Sequence, residues 1–405
     1  MELRVDLLQP MPRMGRRKSM NQQGLHGSRQ EAGIALLIVM IMVLVLSVLA
    51  GGFAFSMKVE TKLAKNTALD TDLQWLGRSG VELARYVLSQ QSSIPEPFDS
   101  LKQKWAGGPG NTNDLLAEIS LENNVVGDGT FSIKIIDAER KLNINSANDA
   151  VIQQALTLIG VDASTFSMIV DSIKDWRDRD DSQSMAGAES DYYLSLSPPY
   201  VAKNGPIGDL TELLLVKGVT PEIFWGPQAT NRLAGGLGAL AAAAPFQQAL
   251  PPPTGGRSAR TGVTSRNPGF GLQGYGVAAM PVGLVDLFSA VGARQINLNT
   301  ASAAVLQLIP GVDAHMAGAI VQARSGYDGA EGTLDDTPFA SPSEVAGVPG
   351  FSPQLAGVFG QFCTVRSFTF EVHVDAEING YHRRFIALLR RMNARDIQTL
   401  YMHWE

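Results

Sequence analysis

Cysteine is almost missing from this sequence: Cys363 stands alone among 405 residues, which excludes an intrachain disulfide. Charge is scarce as well, at 18% of residues with a net value of −6, so no overall basic balance points to nucleic acid. The five histidines (His26, His315, His373, His382 and His403) show no zinc-ligand spacing. Gly-x-Ser-x-Gly, His-Glu-x-x-His and phosphate-binding glycine loops do not occur. No enzymatic activity is expected.

Charge vanishes altogether between Ile34 and Phe55, a run of 22 residues. A helix of that length rises about 33 Å, enough to cross a hydrocarbon core of roughly 30 Å. Arg13, Arg16, Arg17, Lys18 and Arg29 precede it, which puts the N-terminal end in the cytoplasm and everything after Phe55 outside it. A secretory signal peptide is the competing reading, but its apolar region is usually about 7–15 residues long. Ala50-Gly51-Gly52-Phe53 also fits a small-residue cleavage site poorly. The expectation is a single-pass membrane protein.

Beyond Phe55 the helix is expected to continue to about Gln90, because Leu69, Leu73, Leu76, Gly80, Leu83 and Val87 form one stripe at three- and four-residue steps. Residues 91–114 are rich in turn formers. Leu116–Glu122 and Thr130–Asp137 read as strands around a Gly127-Asp128-Gly129 turn. The strand signal then disappears for more than two hundred residues. It returns as Phe368–Ile378 and Tyr381–Leu389, with Asn379-Gly380 between them, the strongest short hairpin signal available. The fold class is therefore α+β: a long N-terminal helix and a small antiparallel sheet, its halves at 115–141 and 366–391, interrupted by a mainly helical block.

That block repeats itself. Leu142-Asn-Ile-Asn-Ser-Ala147 matches Ile296-Asn-Leu-Asn-Thr-Ala301 at an offset of 154, and Gly160-Val-Asp162 matches Gly311-Val-Asp313 at 151. Thr211-Glu212…Val216-Lys-Gly-Val-Thr-Pro221 matches Ser343-Glu344…Val348-Pro-Gly-Phe-Ser-Pro353 at 132. Each copy holds two helix-hairpin-helix units of the kind found in SAM-like domains. The glycine serves a turn with positive φ, and the Asp, Thr or Ser after it caps the next helix. Such units often bind DNA through a second glycine whose backbone N–H groups meet a phosphate. Here that position holds Asp162, Thr220, Asp313 and Ser352, and although Lys217 and Arg324 lie nearby, no hairpin carries a basic run. A protein-contacting role is the preferred reading, with DNA binding as its rival.

Six carboxylates, Asp175, Asp178, Asp180, Asp181, Glu189 and Asp191, fall within 17 positions. Calcium takes six to eight oxygen ligands, often carboxylates in a bent loop. The alternative is a solvated helix end neutralised by Arg177 and Arg179; the glycine and spacing of an EF-hand are absent.

The basic leader ending in Gly33, directly before the apolar helix, resembles the leader of type IV pilins and type II secretion pseudopilins. That resemblance implies cleavage between Gly33 and Ile34 by a prepilin peptidase, with methylation of the new N-terminus. Met1 and Met20 are alternative starts. Most members of that family carry glutamate at the fifth mature position, where this chain has Ile38. Its absence, together with Asp175-Trp-Arg-Asp178-Arg-Asp180, Gly187-Ala-Glu189, Tyr192-Tyr193 and Asp209–Phe224, is similar to the protein K family of type II secretion minor pseudopilins. The resemblance implies a place at the tip of a periplasmic pseudopilus, with minor pseudopilins I and J as partners. It also implies contact with the major pseudopilin and the inner-membrane platform. A competence-type DNA receptor and a type IV pilus minor subunit are the alternatives.

The expected segments are a leader at 1–33, a membrane span at 34–55, the pilin-like helix and first strands at 56–141, and a first helical subdomain at 142–233. A Gly/Pro/Ala-rich linker at 234–281, a second helical subdomain at 282–365, a closing hairpin at 366–391 and an unassigned tail at 392–405 complete the chain.

Overall fold

A computed structural model describes residues 28–110, 116–226 and 282–405. Most of the expected leader, both candidate starts and the expected linker lie outside the described residues. The chain divides into two units, Met1–Asp70 and Thr71–Glu405. In the first, helix α1 (Ser28–Ser93) exposes its apolar residues, Ile34 and Ile38 among them, and it is long and apolar enough to cross a membrane.

In the second unit, the rest of α1 packs on a sheet. Leu73, Leu76, Val81, Ala84, Val87 and Leu88 are buried. Two glycines set the closeness of approach. A Cβ on Gly80 would lie 2.4 Å from Val374 Cγ1, and one on Gly77 would lie 2.5 Å from the Phe385 ring. α1 stops at Ser93, two residues before Pro95, as the preference of pre-proline residues for extended backbone requires.

The sheet has five antiparallel strands: β1 (Asn124–Val126), β2 (Gly129–Asp137), and, after the short strands β3 (Leu142–Asn143), β4 (Phe288–Ser289), β5 (Ile296–Asn297) and β6 (Cys363–Thr364), β7 (Thr369–Ile378), β8 (Tyr381–Asn393) and β9 (Asp396–Trp404), in the order β1-β2-β7-β8-β9. β2 and β7, on either side of the helical block, pair from Gly129↔Ile378 to Asp137↔Phe370. The Asn379-Gly380 turn has both residues at positive φ (52° and 80°), the geometry that a two-residue primed turn demands.

Two expectations for this sheet are corrected. Leu116–Glu122 is a turn rather than a strand: Leu116 is fully buried as a plug, the Ser120 hydroxyl donates to the Glu122 carbonyl, and Asn123 takes positive φ. The strand that pairs with β2 begins two residues later, at Asn124. The tail at 392–405 is not a tail, because β8 runs on to Asn393 and β9 adds a fifth strand. β9 is fastened to α1 and its turn by Arg85 Nε donating to the Ile397 carbonyl (3.1 Å) and Ser89 Oγ donating to that of Ala394 (2.6 Å).

The helical block lies between β2 and β7 in sequence. β3 (Leu142–Asn143) pairs in parallel with β4 (Phe288–Ser289), and β5 (Ile296–Asn297) with β6 (Cys363–Thr364). Each strand pair closes one repeat. The first repeat holds α2 (Asp149–Ile159), α3 (Phe166–Arg177) and the helices Ser190–Leu194, Pro221–Trp225 and Leu284–Leu287. The expected second subdomain at 282–365 therefore begins too early: 282–289 completes the first repeat. Helices Ala303–Leu306, Ala314–Arg324 and Pro353–Phe362 form the second. One continuous core joins both repeats, from Leu142 and Ile152 through Phe224 and Phe288 to Val305 and Phe359.

All four hairpin glycines take positive φ: Gly160, Gly218 and Gly311 at 85° and Gly350 at 94°. Each residue two places later accepts a hydrogen bond from the start of the next helical turn, Asp162 from Ser164 N, Thr220 from Ile223 N, Asp313 from Met316 N and Ser352 from Leu355 N.

Candidate metal centre

α3 carries Asp171, Asp175 and the C-capping Asp178 on its last two turns. Carboxylates at a helix C-terminus face the negative end of the helix dipole, an unfavourable place unless a cation is near. The chain then folds back over them. Ser184 N donates to both oxygens of Asp175 (3.3 and 3.1 Å), and Ala186 N donates to Asp171 Oδ2 (3.0 Å). Gly187 is required there, since a Cβ would lie 2.0 Å from Asp175 Oδ2. Lys217, from the second hairpin, holds the loop by donating to the Gly187 carbonyl (3.0 Å) while its ammonium lies 4.8 Å from the centre of the Tyr192 ring.

This fold brings three of the six expected ligands together. Asp175, Asp178 and Glu189 place carboxylate oxygens within 4.8 Å of one another. Donors about 2.4 Å from a shared calcium ion can stand up to about 4.8 Å apart. Asp180, Asp181 and Asp191 are exposed and outside that triad, although Asp181 Oδ1 accepts from Ser190 Oγ (3.1 Å) and Asn204 Nδ2 (2.8 Å).

The triad is short of partners. Asp175 is fully buried and Glu189 is 4% exposed, yet both Glu189 oxygens and Asp178 Oδ1 have no hydrogen-bond donor. Asn204 Oδ1 is a fourth buried oxygen without one. The sequence pairs Lys203 with Asn204 in the stretch similar to the protein K family but does not mark Asn204, thirteen positions beyond the last of the acids, as a ligand; in the structure it takes positive φ (47°). Burial, then the charges of Asp175 and Asp178, push the Glu189 carboxyl up to about 7. Burial and then Asp180 and Asp175 raise Asp178 as well.

Neutralisation of these acids by direct arginine pairing is not seen among the described residues, although Asp178 acts on Arg177 and Lys174 on Asp178 at longer range. Arg177 turns away, its Nη1 donating to the carbonyls of Ile144 and Ala147, and among the described residues no ion pair joins Arg177 or Arg179 to the acids. Only oxygen donors converge here, which suits a hard cation such as calcium.

The second repeat offers a comparison within one molecule. Arg324 is the counterpart of Arg177, donating to the carbonyls of Leu298 and Ala301, and its helix also leads into an acidic loop. That loop satisfies itself. Asp335 Oδ2 accepts from Tyr327 N and Asp328 N (2.6 and 3.0 Å), Asp336 Oδ2 from Gly332 N (2.8 Å), and Glu331 pairs with Arg324 (2.5 Å). Hydrogen bonds from Thr333 and these amides hold Asp335 down to about 2. Both basic residues near the hairpins are thus engaged elsewhere, Lys217 on the loop and Arg324 in the core.

The processing pair lies in α1: Gly33 is helical, and Ile34 and Ile38 are exposed in the first unit.

Residues 122–225 match the family model of type II secretion system protein K, and 291–329 that of a helix-hairpin-helix motif. The chain is 25% identical over 215 residues to type II secretion system protein K of Aeromonas hydrophila, covering 48% of this chain and 61% of that protein. It is 24% identical over 214 residues to the Klebsiella pneumoniae protein of the same name, covering 49% and 61%. The match thus spans about three fifths of these relatives. A solved structure, the GspK–GspI–GspJ complex of the enterotoxigenic Escherichia coli type 2 secretion system, contains a similar chain. Its TM-score is 0.56 at 16% identity, covering 84% of this chain and 99% of that one. At that identity the likeness is one of fold.

Proposed function

We infer that this relative of type II secretion system protein K works as a minor pseudopilin, a structural subunit rather than an enzyme. The match of 122–225 to the protein K model carries the reading, because that stretch holds α2, α3, the acidic loop and the second hairpin. The chain is anchored by the span at 34–55 with its N-terminus in the cytoplasm and its folded unit in the periplasm. Its partners in this reading are minor pseudopilins I and J, the counterparts of the GspI and GspJ that accompany GspK in the similar Escherichia coli complex. The tip position follows from Ile38, which offers no carboxylate to a neighbour's N-terminal amine, and from the bulk of the helical block.

The acidic triad binds calcium in this reading: Asp175, Asp178 and Glu189 supply carboxylates and Asn204 a neutral oxygen. The ion would supply positive charge at the three carboxylates themselves and tie α3 to Ser190–Leu194. DNA binding is disfavoured by the caps, since the amides of Ser164 and Met316 that would meet a phosphate already bond the carboxylates of Asp162 and Asp313.

Processing tests the assignment directly. N-terminal sequencing of the membrane-bound form should begin at Ile34. An intact basic leader, or a start beyond Phe55, would overturn it.

A further inference from the structure

Where the helical block meets the sheet, two carboxylates two residues apart are buried together: Asp137, at the end of β2, is 2% exposed and Glu139 is fully buried. Both reach across the seam. Glu139 Oε1 accepts from Ala293 N (2.8 Å) of the block, and Oε2 from Thr369 N (3.0 Å) of β7. Asp137 Oδ2 accepts from Asn297 Nδ2 (3.0 Å) and Thr300 Oγ1 (2.5 Å) of the block and from Ser367 Oγ (2.6 Å) beside β7. Its Oδ1 accepts from Glu139 N (2.8 Å).

The charged groups facing this pair do not neutralise it. Arg391 of β8 is instead paired with Asp99 Oδ2, from the segment after α1, and donates to the Ser367 carbonyl, and among the described residues Arg390 lines the cavity beside Glu139 without an ion pair to it. The facing residues of the block, Asn297 and Thr300, carry no charge. Two carboxylates in contact and out of water cannot both ionise without a large electrostatic cost.

We propose that the Asp137–Glu139 pair is a proton-operated latch: one proton held at the pair keeps the helical block seated on the sheet, and its release to solvent loosens the seam. The donors decide where the proton sits. Glu139 accepts only from backbone N–H groups, which cannot reverse. Asp137 accepts from two hydroxyls, which can turn to accept from a protonated carboxyl. Burial, with Glu139 next in weight, pushes the Asp137 carboxyl up to about 7. A group raised on folding stabilises fully below its unfolded value, and that contribution is lost as pH rises through the folded one. The seam therefore weakens as pH rises from about 4 to about 7 and loses no more beyond that.

Hydrogen exchange of the full chain in detergent tests this, followed in the peptides carrying the amides of Ala293 and Thr369. Protection corrected for the intrinsic rate should fall by up to about tenfold per pH unit between about pH 4 and pH 7 and level off above neutrality. Val374, within the β7–β8 ladder, should keep its protection. In Asp137→Asn the seam profile should be flat. A flat native profile overturns the latch, as does a fall that persists in Asp137→Asn. Should that variant fail to fold, the Asp137 carboxyl carbon of the native chain is followed by NMR: titration near pH 7 supports the latch, and titration in the ordinary carboxylate range overturns it.

Discussion

At Glu189 burial and neighbouring charge act against ionisation, while calcium would demand it. Without the ion, a carboxyl raised to about 7 from 4.5 contributes stability below about pH 4.5 that is lost as pH rises through about 7. With it, the proton must leave before the metal can bind. We expect 10 mM calcium to raise the melting temperature by a few degrees at pH 8, since a site with a Kd of about 0.1–1 mM gains roughly 1.4–2.7 kcal/mol by mass action. At pH 5.5 the shift should shrink. Glu189→Gln should remove the calcium shift and, by deleting a buried charge, raise the calcium-free melting temperature at pH 8. Calorimetry with calcium and with chelator at both pH values measures all four effects. A melting curve indifferent to calcium would return the acids to the role of a solvated helix end.

At the scale of elements, sequence patterns revealed what is local and periodic. The α1 stripe, the Asn379-Gly380 hairpin and the four glycine turns could all be read because each depends on a few neighbouring residues. β9 could not, because only Ile397 of its nine residues is buried and the pattern carries no alternation. Leu116–Glu122 misled for the opposite reason, an apolar plug imitating a strand. The repeat was legible, but its purpose was not. Asn145 and Asn299 each lock a distant backbone with a pair of hydrogen bonds, to Ile207 and to Phe339, over 62 and 40 residues. At the candidate metal centre the acids were visible and the selection of three of them was not, since it depends on how the loop returns over α3.

The boundary between the repeats yields a prediction. The second repeat ends in an unbroken helix, Pro353–Phe362, whereas the first divides the equivalent span between Pro221–Trp225 and Leu284–Leu287. The ends of that division touch: a Cβ on Gly226 would lie 2.7 Å from the Val282 carbonyl carbon, and one on Gly283 would lie 2.3 Å from the Phe224 oxygen. Gly226 and Val282, the described residues on either side of 227–281, thus lie side by side. Replacing residues 227–281 with a short glycine bridge should leave the melting temperature unchanged or slightly raised, because closing a shorter loop costs less entropy. A loss of more than a few degrees in a thermal melt would show that the segment contributes to the core.

For the whole molecule, the proposed reading joins a membrane span, a sheet that accepts an interrupting block and a place in an assembly. Ile38 tests the position. Ile38→Glu puts an ionisable group in the span at a cost of about 3 kcal/mol. At a tip no neighbour follows to pair with it, so membrane insertion or assembly should fall in fractionation and secretion assays, whereas Ile38→Val should be silent. Undiminished secretion by Ile38→Glu would favour a place within the shaft.

The central claim is the assembly itself. Co-expression of the folded unit, residues 71–405, with the periplasmic parts of minor pseudopilins I and J from the same bacterium should yield one complex containing all three, with a single mass by light scattering. Three separate peaks at micromolar concentrations, with each protein folded, would contradict the account.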